Sequence, residues 1–357
     1  MPTRPLLTSL AVAVTVALSA CSTSPTDRED GVSVVPSSTP DPSSSSASAD
    51  PDPAAAVVAA ADAFLDTLAP AQVDRGLHDA DDPALRDWIY FPSTSDRSGV
   101  ALGDLDDEQR AAALAVAAAV LSDEGYEQLR GVLAAEDELG RRNGEESTVN
   151  AGRYFIAFFG TPAADERFTV QFTGHHLAVN TTYDGDRVSP TPAFTGVDPV
   201  AVELDGRRTR PMQVKVDAVS ALLTGLDEGR LAAARIGAID DVRVGTGASE
   251  DYPDPEGTLV ADLDDAERQL VVAVVRAWVG DTDERVAGPL VEQYLAQLDR
   301  TRIAWSGSTD PDVSGSYLRL DGPRLWIEFS NVGRFGNGDD HYHSVYRDRE
   351  IDYLAGE

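Results

Sequence analysis

Histidine, cysteine and lysine are scarce in this 357-residue chain, and each scarcity narrows the chemistry that the protein can perform. Cys21 is the only cysteine, so the chain can form no internal disulfide. Lys215 is the only lysine, and nothing around it in the sequence favours covalent catalysis. The chain also lacks a P-loop, a dinucleotide fingerprint and the H-E-x-x-H and G-x-S-x-G motifs. Any active site must therefore be inferred from side-chain clusters.

The charge balance is strongly acidic. The chain has 61 acidic residues against 29 basic ones, and its formal net charge is −32. Such a field repels phosphate backbones and anionic lipid, so we expect no nucleic-acid partner. The acidity itself is typical of a solvated surface.

The first 20 residues have the pattern of an export signal. Arg4 precedes an apolar run that ends at Cys21, and the run is too short for a membrane-spanning helix, which needs about 20 residues. The sequence Leu18-Ser19-Ala20-Cys21 resembles a bacterial lipobox, in which the cysteine becomes the acylated N-terminus. We therefore predict a signal peptide over 1–20, lipidation of Cys21 and a membrane anchor on the extracytoplasmic side of the cell envelope. An ordinary secretory signal is the alternative.

Residues 21–56 are predicted to form a disordered tether after the acylated cysteine. They are rich in Ser, Pro, Asp and Ala and hold almost no large apolar side chain, so burial cannot offset their chain entropy. The remaining residues, 57–357, are enough for one large domain or two medium ones.

Two stretches of this folded part begin alike. "LGDLDDEQRAAALAV" and "LVADLDDAERQLVVAV" each place Leu-Asp-Asp before a helical pattern, at Leu105 and Leu263, so the offset is 263 − 105 = 158. Both predicted helices open with a capping box, in which an aspartate is followed three residues later by Gln or Glu: Asp106 with Gln109, and Asp264 with Glu267.

Strand patterns repeat in the same order. "YFIAFFGTP" (154–162) matches "TRIAWSGST" (301–309), and each is followed by two alternating runs joined at a glycine, which predicts a β-hairpin. We therefore predict an α+β fold of two tandem duplicated halves, about 57–200 and about 215–357, packed about a pseudo-twofold axis. Chance similarity of α+β elements is the alternative.

Several motifs together resemble the domain-of-unknown-function 3500 family. They are "WIYFP…R" (88–97), "FTGHHLAVN" (172–180), "TPAFTGVDP" (191–199), "LDGPRLWIEF" (320–329) and "HYHSVYRDREIDY" (341–353). The resemblance implies a bacterial exported protein and no particular activity. The chain departs from the family pattern at one place, because Asp352-Tyr353 is followed by Leu354 instead of glycine.

Four of the five histidines occur in two tight clusters. His341 and His343 lie two apart in an aromatic segment, so an extended backbone would direct both side chains to one face. His175 and His176 lie at the predicted turn of the first hairpin. Because ligand sites favour seams between units, we expect these clusters to meet in one polar pocket between the halves.

Specific roles follow from this expectation. His176, His341 and His343 are the predicted metal ligands, for zinc or another divalent first-row ion. Glu328 is predicted as a fourth ligand or general base, and Asn180 and Arg324 as groups that bind a substrate oxyanion. The secondary candidates are His175, Arg347, Asp348 and Arg97. The Pro-rich segment 189–199 is predicted to be an ordered loop that could cover the pocket.

The histidine spacing allows three interpretations. The pocket could hold a metal, bind a small ligand or substrate without a metal, or be purely structural, with imidazoles that satisfy buried carbonyls. Our working hypothesis is a metal-dependent, hydrolase-like enzyme that acts on a small polar substrate. A non-catalytic small-ligand-binding lipoprotein and a structural surface protein are the alternatives.

Overall fold

The computed structural model describes residues 52–92, 97–247, 251–333 and 340–355. The predicted signal peptide, Cys21 and most of the predicted tether lie outside the described residues.

Eight helices lie in the described part of the chain. They are α1 (Pro53–Leu65), α2 (Pro70–Gly76), α3 (Asp107–Val120), α4 (Asp123–Asn143), α5 (Gln213–Gly225), α6 (Glu228–Ala234), α7 (Asp265–Val279) and α8 (Glu284–Leu295). The capping boxes predicted at Asp106 and Asp264 are both formed, so the starts of α3 and α7 were predicted correctly. Helix α1 begins earlier than expected, because Asp52 caps it and a proline occupies its first turn. Residues 53–56 therefore belong to this helix and not to a tether.

Fourteen strands are formed by the described residues. They are β1 (Leu77–His78), β2 (Val100–Ala101), β3 (Phe155–Phe159), β4 (Phe168–Gly174), β5 (Leu177–Asp184), β6 (Arg187–Ser189), β7 (Ala193–Val197), β8 (Val202–Leu204), β9 (Arg207–Thr209), β10 (Thr258–Leu259), β11 (Arg302–Ser306), β12 (Tyr317–Asp321), β13 (Leu325–Asn331) and β14 (Tyr342–Asp348). The two predicted hairpins are confirmed as β4–β5 and β12–β13.

One large sheet contains twelve of these strands. Its order is β1-β3-β4-β5-β7-β14-β13-β12-β11-β10, with β2 beside β3 and β6 beside β5. All pairs are antiparallel except β1 with β3. The predicted α+β class is confirmed, as helices and a mostly antiparallel sheet. Strands β7 and β14, which carry the residues around the second histidine cluster, are neighbours in the middle of this sheet.

The two faces of the sheet are covered differently. On one face, alternate strand residues pack against the helices, as Leu325, Ile327 and Phe329 do against α5 and α7. On the other face, Trp326 and Val345 pack with side chains from irregular segments of the chain. Alternation along β14 therefore places His343, two residues before Val345, on the face away from the helices.

The segment 189–199 was predicted wrongly as a loop. Its residues 193–197 form β7, a central strand paired with β5 and β14. The prolines that argued against a central strand, Pro190, Pro192 and Pro199, flank β7 and leave its backbone N–H groups free to pair. This segment therefore lies within the sheet, between the strands that carry the two histidine clusters.

None of the helices in the described residues is both long enough and apolar enough to cross a membrane.

Candidate metal centre

The two histidine clusters meet at the middle of the sheet. His175 and His176 form the turn between β4 and β5, whereas His341 immediately precedes β14 and His343 lies within it. The Nε2 atoms of His176 and His341 are 2.7 Å apart. The ring centroid of His343 is 4.5 Å from that of His341 and 5.6 Å from that of His176. The predicted convergence of histidines that are 165 residues apart in sequence is therefore present.

Strand β7 explains why these rings meet. It pairs with β5 on one side and with β14 on the other, and Gly196 lies directly opposite His343. The backbone N–H of Gly196 donates to the carbonyl of His176 over 2.7 Å. His176 has a φ of +67°, in the left-handed region that non-glycine residues seldom adopt. This turn directs the His176 ring toward β14.

Three imidazoles form one candidate ligand set. His176, His341 and His343 each offer one ligand atom, and these atoms lie within 4.8 Å of one another. All three side chains are buried. A second set within the same limit consists of Glu136, His175 and His176. The structure thus contains a buried His/Glu cluster that could hold a metal ion.

Two carboxylates hold the outer edges of this cluster. Asp241 Oδ1 lies 2.7 Å from Nδ1 of His343, and the Tyr90 hydroxyl donates to Asp241 Oδ2 over 3.2 Å. Glu136, on α4, places its two oxygens 2.9 and 3.0 Å from Nδ1 of His175. A carboxylate on Nδ1 favours the tautomer that carries its proton there, which leaves the Nε2 lone pair for an ion.

Comparison with protein-family models identifies the family of this chain. The family model described as "Protein of unknown function (DUF3500)" matches residues 50–355, almost all of the folded part. The chain belongs to the DUF3500 family. The resemblance predicted from the sequence motifs is therefore confirmed. Comparisons with curated proteins and with solved structures each found no match.

Leu354 lies where the resemblance in the sequence led us to expect a glycine. Its φ is +50°, and that of Tyr353 is +55°. Glycine adopts this left-handed conformation without the steric cost that a Cβ brings. A glycine would therefore suit the backbone of this turn, and leucine occupies it under strain.

Glu328 does not join either ligand set of the described residues. Its Oε1 accepts from the Arg243 N–H and the Tyr317 hydroxyl, and its Oε2 accepts from the Val244 N–H and the Trp326 indole. Burial raises the pKa of Glu328, and these four donors oppose the rise. The catalytic role of Glu328 stays a prediction. Its contacts are those of a structural residue that bonds the segment just before Thr246 to the sheet.

The other two predicted catalytic residues also have their polar atoms engaged. Asn180 accepts from the Gln171 side chain and donates to the Pro192 carbonyl, each over 2.8 Å. Arg324 donates to Asp348 over 2.7 Å and to Gln293 over 2.6 Å. Their roles in oxyanion binding stay predictions, and these partners would have to be exchanged for a substrate.

The secondary candidates divide between the cluster and the rest of the sheet. His175 stacks on His176, with ring centroids 3.6 Å apart. Arg347 is buried and forms an ion pair with Asp352 over 2.7 Å, whereas Asp348 forms an ion pair with Arg324. Arg97 donates to the Phe91 carbonyl over 2.8 Å and interacts electrostatically with Glu136. The structure therefore brings His175 and Arg97 toward the cluster.

Glu136 and Asp241 were missed by the sequence analysis. Glu136 could have been found, because it lies at helical spacing from Val132 and Leu139 on the buried stripe of α4. A carboxylate on an apolar stripe is unusual and needs a buried partner. Asp241 lies in an irregular segment, where no periodicity indicates which side chain turns inward.

Replacing Asp241 with asparagine tests its hold on His343. We expect the affinity for zinc to fall about 10- to 100-fold, because the hydrogen bond that orients the His343 ring is weakened. Competition with a chromophoric chelator would measure the affinity. Asp240→Asn changes an exposed neighbour and serves as the matched control. Equal affinities of the two variants would contradict the role of Asp241.

The buried imidazoles also predict a dependence of stability on pH. Burial, with the neighbouring imidazoles, keeps the pKa of His176 well below 6.5 and lowers the pKa of His341 to about 2. Below pH 6.5 the unfolded chain binds protons at these positions and the folded chain does not. As the pH falls below 6.5, the free energy of unfolding should therefore decrease by up to about 1.4 kcal/mol per pH unit for each residue. For His341 this decrease should continue down to about pH 2.

Denaturant unfolding of the metal-free protein between pH 6.5 and 5.5 would measure this slope, since most carboxylates stay ionised there. The variant His341→Gln has no titrating group at this position and should show a shallower slope. Equal slopes in the variant and the wild type would mean that His341 takes up a proton equally in both states.

Proposed function

We propose that this DUF3500 protein is a metalloprotein whose ion is held by His176, His341 and His343. The observation that carries the proposal is the convergence of three buried imidazoles, each offering a ligand atom within 4.8 Å of the others. Burial keeps His176 and His341 neutral at physiological pH, which is the form that binds metal. Imidazole ligands suit zinc and other late first-row divalent ions.

The distances support an ion of this class after a small adjustment. With metal–nitrogen bonds of about 2.0–2.1 Å, two ligand atoms lie roughly 3.3 Å apart in a tetrahedral site and roughly 2.9 Å apart in an octahedral one. The Nε2 atoms of His176 and His341 are 2.7 Å apart, as for a hydrogen bond between neutral rings. A ring rotation that moves either Nε2 atom by a fraction of an ångström would make room for an ion in place of the shared proton.

We further propose that the centre hydrolyses a small polar substrate. Three protein ligands leave a fourth position for water, as in catalytic zinc sites, and the bound ion would lower the pKa of that water to about 7. At that pKa hydroxide forms without a dedicated general base, so the proposal does not need Glu328. Arg97, which interacts electrostatically with Glu136, is the cation that we retain for an anionic group of the substrate.

Metal content and turnover test the two parts separately. The full chain should bind about one or more equivalents of zinc, and the zinc-loaded protein should hydrolyse at least one of a panel of small nitrophenyl esters, phosphoesters and amides. The His341→Ala variant should bind zinc much more weakly and lose turnover. A chain that stays metal-free and gains no thermal stability from zinc, copper, nickel or manganese would refute the metal centre. Bound metal without any turnover would refute the hydrolytic part.

The low exposure of the cluster favours a second candidate function. His176 and His343 are only 1% and 2% exposed, which is also typical of structural metal sites and of hydrogen-bonded cores. In that case the protein would be a ligand-binding or structural surface protein, in which the ion or the hydrogen bonds stabilise the join between β7 and β14. A large rise in melting temperature on metal addition, with no turnover, would support it.

We also propose that Cys21 is acylated and anchors the protein outside the cytoplasm. The lipobox-like sequence before Cys21 supports this localisation. Expression of the full chain in a bacterial host would place the wild type in the membrane fraction, and Cys21→Ser should move it to the soluble fraction. Equal distribution of the two proteins would contradict lipid anchoring.

The proposed duplication has support in the order of the strands. Outward from the central pair, β7, β5, β4 and β3 follow on one side, and β14, β13, β12 and β11 follow on the other. Because β7 and β14 run antiparallel, a pseudo-twofold axis would pass between them. Superposition of half one on half two checks the proposal, and a failure of β3, β4, β5 and β7 to superpose on β11, β12, β13 and β14 would contradict it.

A further inference from the structure

We propose that a second divalent ion binds at Glu136, His175 and His176, so that the imidazole of His176 bridges two ions. This inference rests on the proposed first site at His176, His341 and His343. It would make the centre a two-ion site in which one imidazole ring provides both of its nitrogens.

The two nitrogens of His176 face different ligand sets. Its Nε2 lies 2.7 Å from Nε2 of His341, in the first set. Its Nδ1 lies 3.9 Å from Oε2 of Glu136, in the second. Because the two nitrogens point outward from different edges of the ring, one imidazole can bind an ion on each side. With bonds of about 2.0–2.1 Å, the two ions would lie roughly 6 Å apart.

The second set has the spacing of atoms bound to one ion. Nδ1 of His175 lies 2.9 and 3.0 Å from the two oxygens of Glu136, and the distance from Glu136 to Nδ1 of His176 is 3.9 Å. Ligand atoms around a single zinc ion lie roughly 3–3.4 Å apart. The observed distances bracket this range. Because the His175 and His176 rings are stacked at 28° to each other, one ring must also turn to direct its Nδ1 lone pair at the ion.

Charge also favours an ion at this position. Glu136 is 2% exposed, and a buried carboxylate is costly unless it is paired. Glu136 has the His175 ring and the Tyr154 hydroxyl as partners, and the hydroxyl oxygen lies 3.5 Å away. Arg97 also interacts electrostatically with Glu136. A divalent ion between the carboxylate and two imidazoles would supply positive charge that these partners provide only in part.

Binding of both ions would release one proton from the protein. In the metal-free protein the ring of His176 carries one N–H proton, and that of His175 carries its proton on Nδ1 toward Glu136. When both ions are bound, His176 releases its proton to solvent and bridges as imidazolate. His175 binds through Nδ1, and its proton is then carried on Nε2. The ligand chemistry, imidazole and carboxylate, suits Zn²⁺, Co²⁺ and Cu²⁺.

Stoichiometry tests the second site. The metal-free full chain is incubated with excess Zn²⁺, freed of unbound metal and analysed for zinc per chain. We expect two ions in the wild type and one in Glu136→Gln, since an amide still accepts the hydrogen bond of His175 but is a weak ligand. Glu127→Gln, an exposed change on the same helix, is the matched control and should keep two. His175→Gln provides a second test and should also bind one.

The outcomes separate this inference from the proposed function. One ion in the wild type and one in Glu136→Gln would overturn the second site and leave Glu136 as the residue that orients His175. No ion in the wild type would overturn the first site, and the second with it. Circular dichroism of each variant checks that a lost ion does not reflect a lost fold.

Electron paramagnetic resonance tests the bridge itself. With two Cu²⁺ ions joined by one imidazolate, magnetic coupling should reduce the signal well below that of two isolated ions. Glu136→Gln, with one Cu²⁺, should give a full isolated signal. Two independent signals in the wild type would show that both ions bind without sharing His176, and would overturn the bridge.

Discussion

Replacing His341 with alanine will lower the affinity of the full chain for zinc by about a hundredfold or more. Structural zinc sites with four ligands bind with roughly 10–16 kcal/mol, so one ligand accounts for a few kcal/mol. His341 faces His176 at 2.7 Å, and its loss leaves a set of two imidazoles. Isothermal titration or chelator competition would measure the change.

The same variant should lose the thermal stabilisation that zinc gives the wild type. A ligand present at 100 times its dissociation constant stabilises the folded state by about 2.7 kcal/mol, and a hundredfold weaker site removes most of that gain. His78→Ala is the matched control, because it removes the one histidine that lies outside the two clusters. In the wild type, His78 pairs with Asp82. Equal zinc affinity of the His78 and His341 variants would refute the three-histidine site.

The meeting of the histidines could be predicted from the sequence because strand geometry is regular. Residues two apart on a strand share a face, so His341 and His343 had to point the same way once the segment was extended. The first hairpin placed His176 at a turn, and the matching halves suggested one polar pocket at the seam between them. Local pattern therefore predicted which histidines converge, although it could not give their distances.

The partners of these histidines could not be predicted in the same way. Glu136 reaches His175 from a helix and Asp241 reaches His343 from an irregular segment, so each contact depends on how distant elements pack. The pattern favoured Glu328, which shares the polar face of β13, but its carboxylate is fully engaged by four donors. Alternation along a strand identifies the face of a side chain and not its partners.

Strand β7 shows the limit of composition as a guide. Prolines are rare inside central strands because they cannot donate a backbone hydrogen bond. In this chain the prolines lie on either side of Ala193–Val197. All five of these residues pair with β14, and Phe194 and Thr195 also pair with β5. The rarity of proline holds only for residues within a strand. It does not extend to the flanking residues of the segment 189–199.

Replacing Gly196 with alanine will disrupt the centre without removing any ligand. A Cβ at this position would lie 2.8 Å from the Tyr342 carbonyl oxygen and 3.0 Å from Cδ2 of both His176 and His343. The carbonyl belongs to the paired strand and cannot move far, so the two rings must turn away from each other. We expect a loss of about 1–3 kcal/mol in the free energy of unfolding, typical of overpacking in a core.

Zinc affinity should fall together with stability in this variant, by about tenfold or more, which is the scale on which changes beside the ligands act. Gly237→Ala is the control, because a Cβ there meets nothing within 4 Å, and it should leave both quantities unchanged. Denaturant unfolding in chelator gives the stability, and chelator competition gives the affinity. A Gly196→Ala protein that binds zinc as tightly as the wild type would mean that the His176 and His343 rings need not converge, and the three-histidine site would then have to be abandoned.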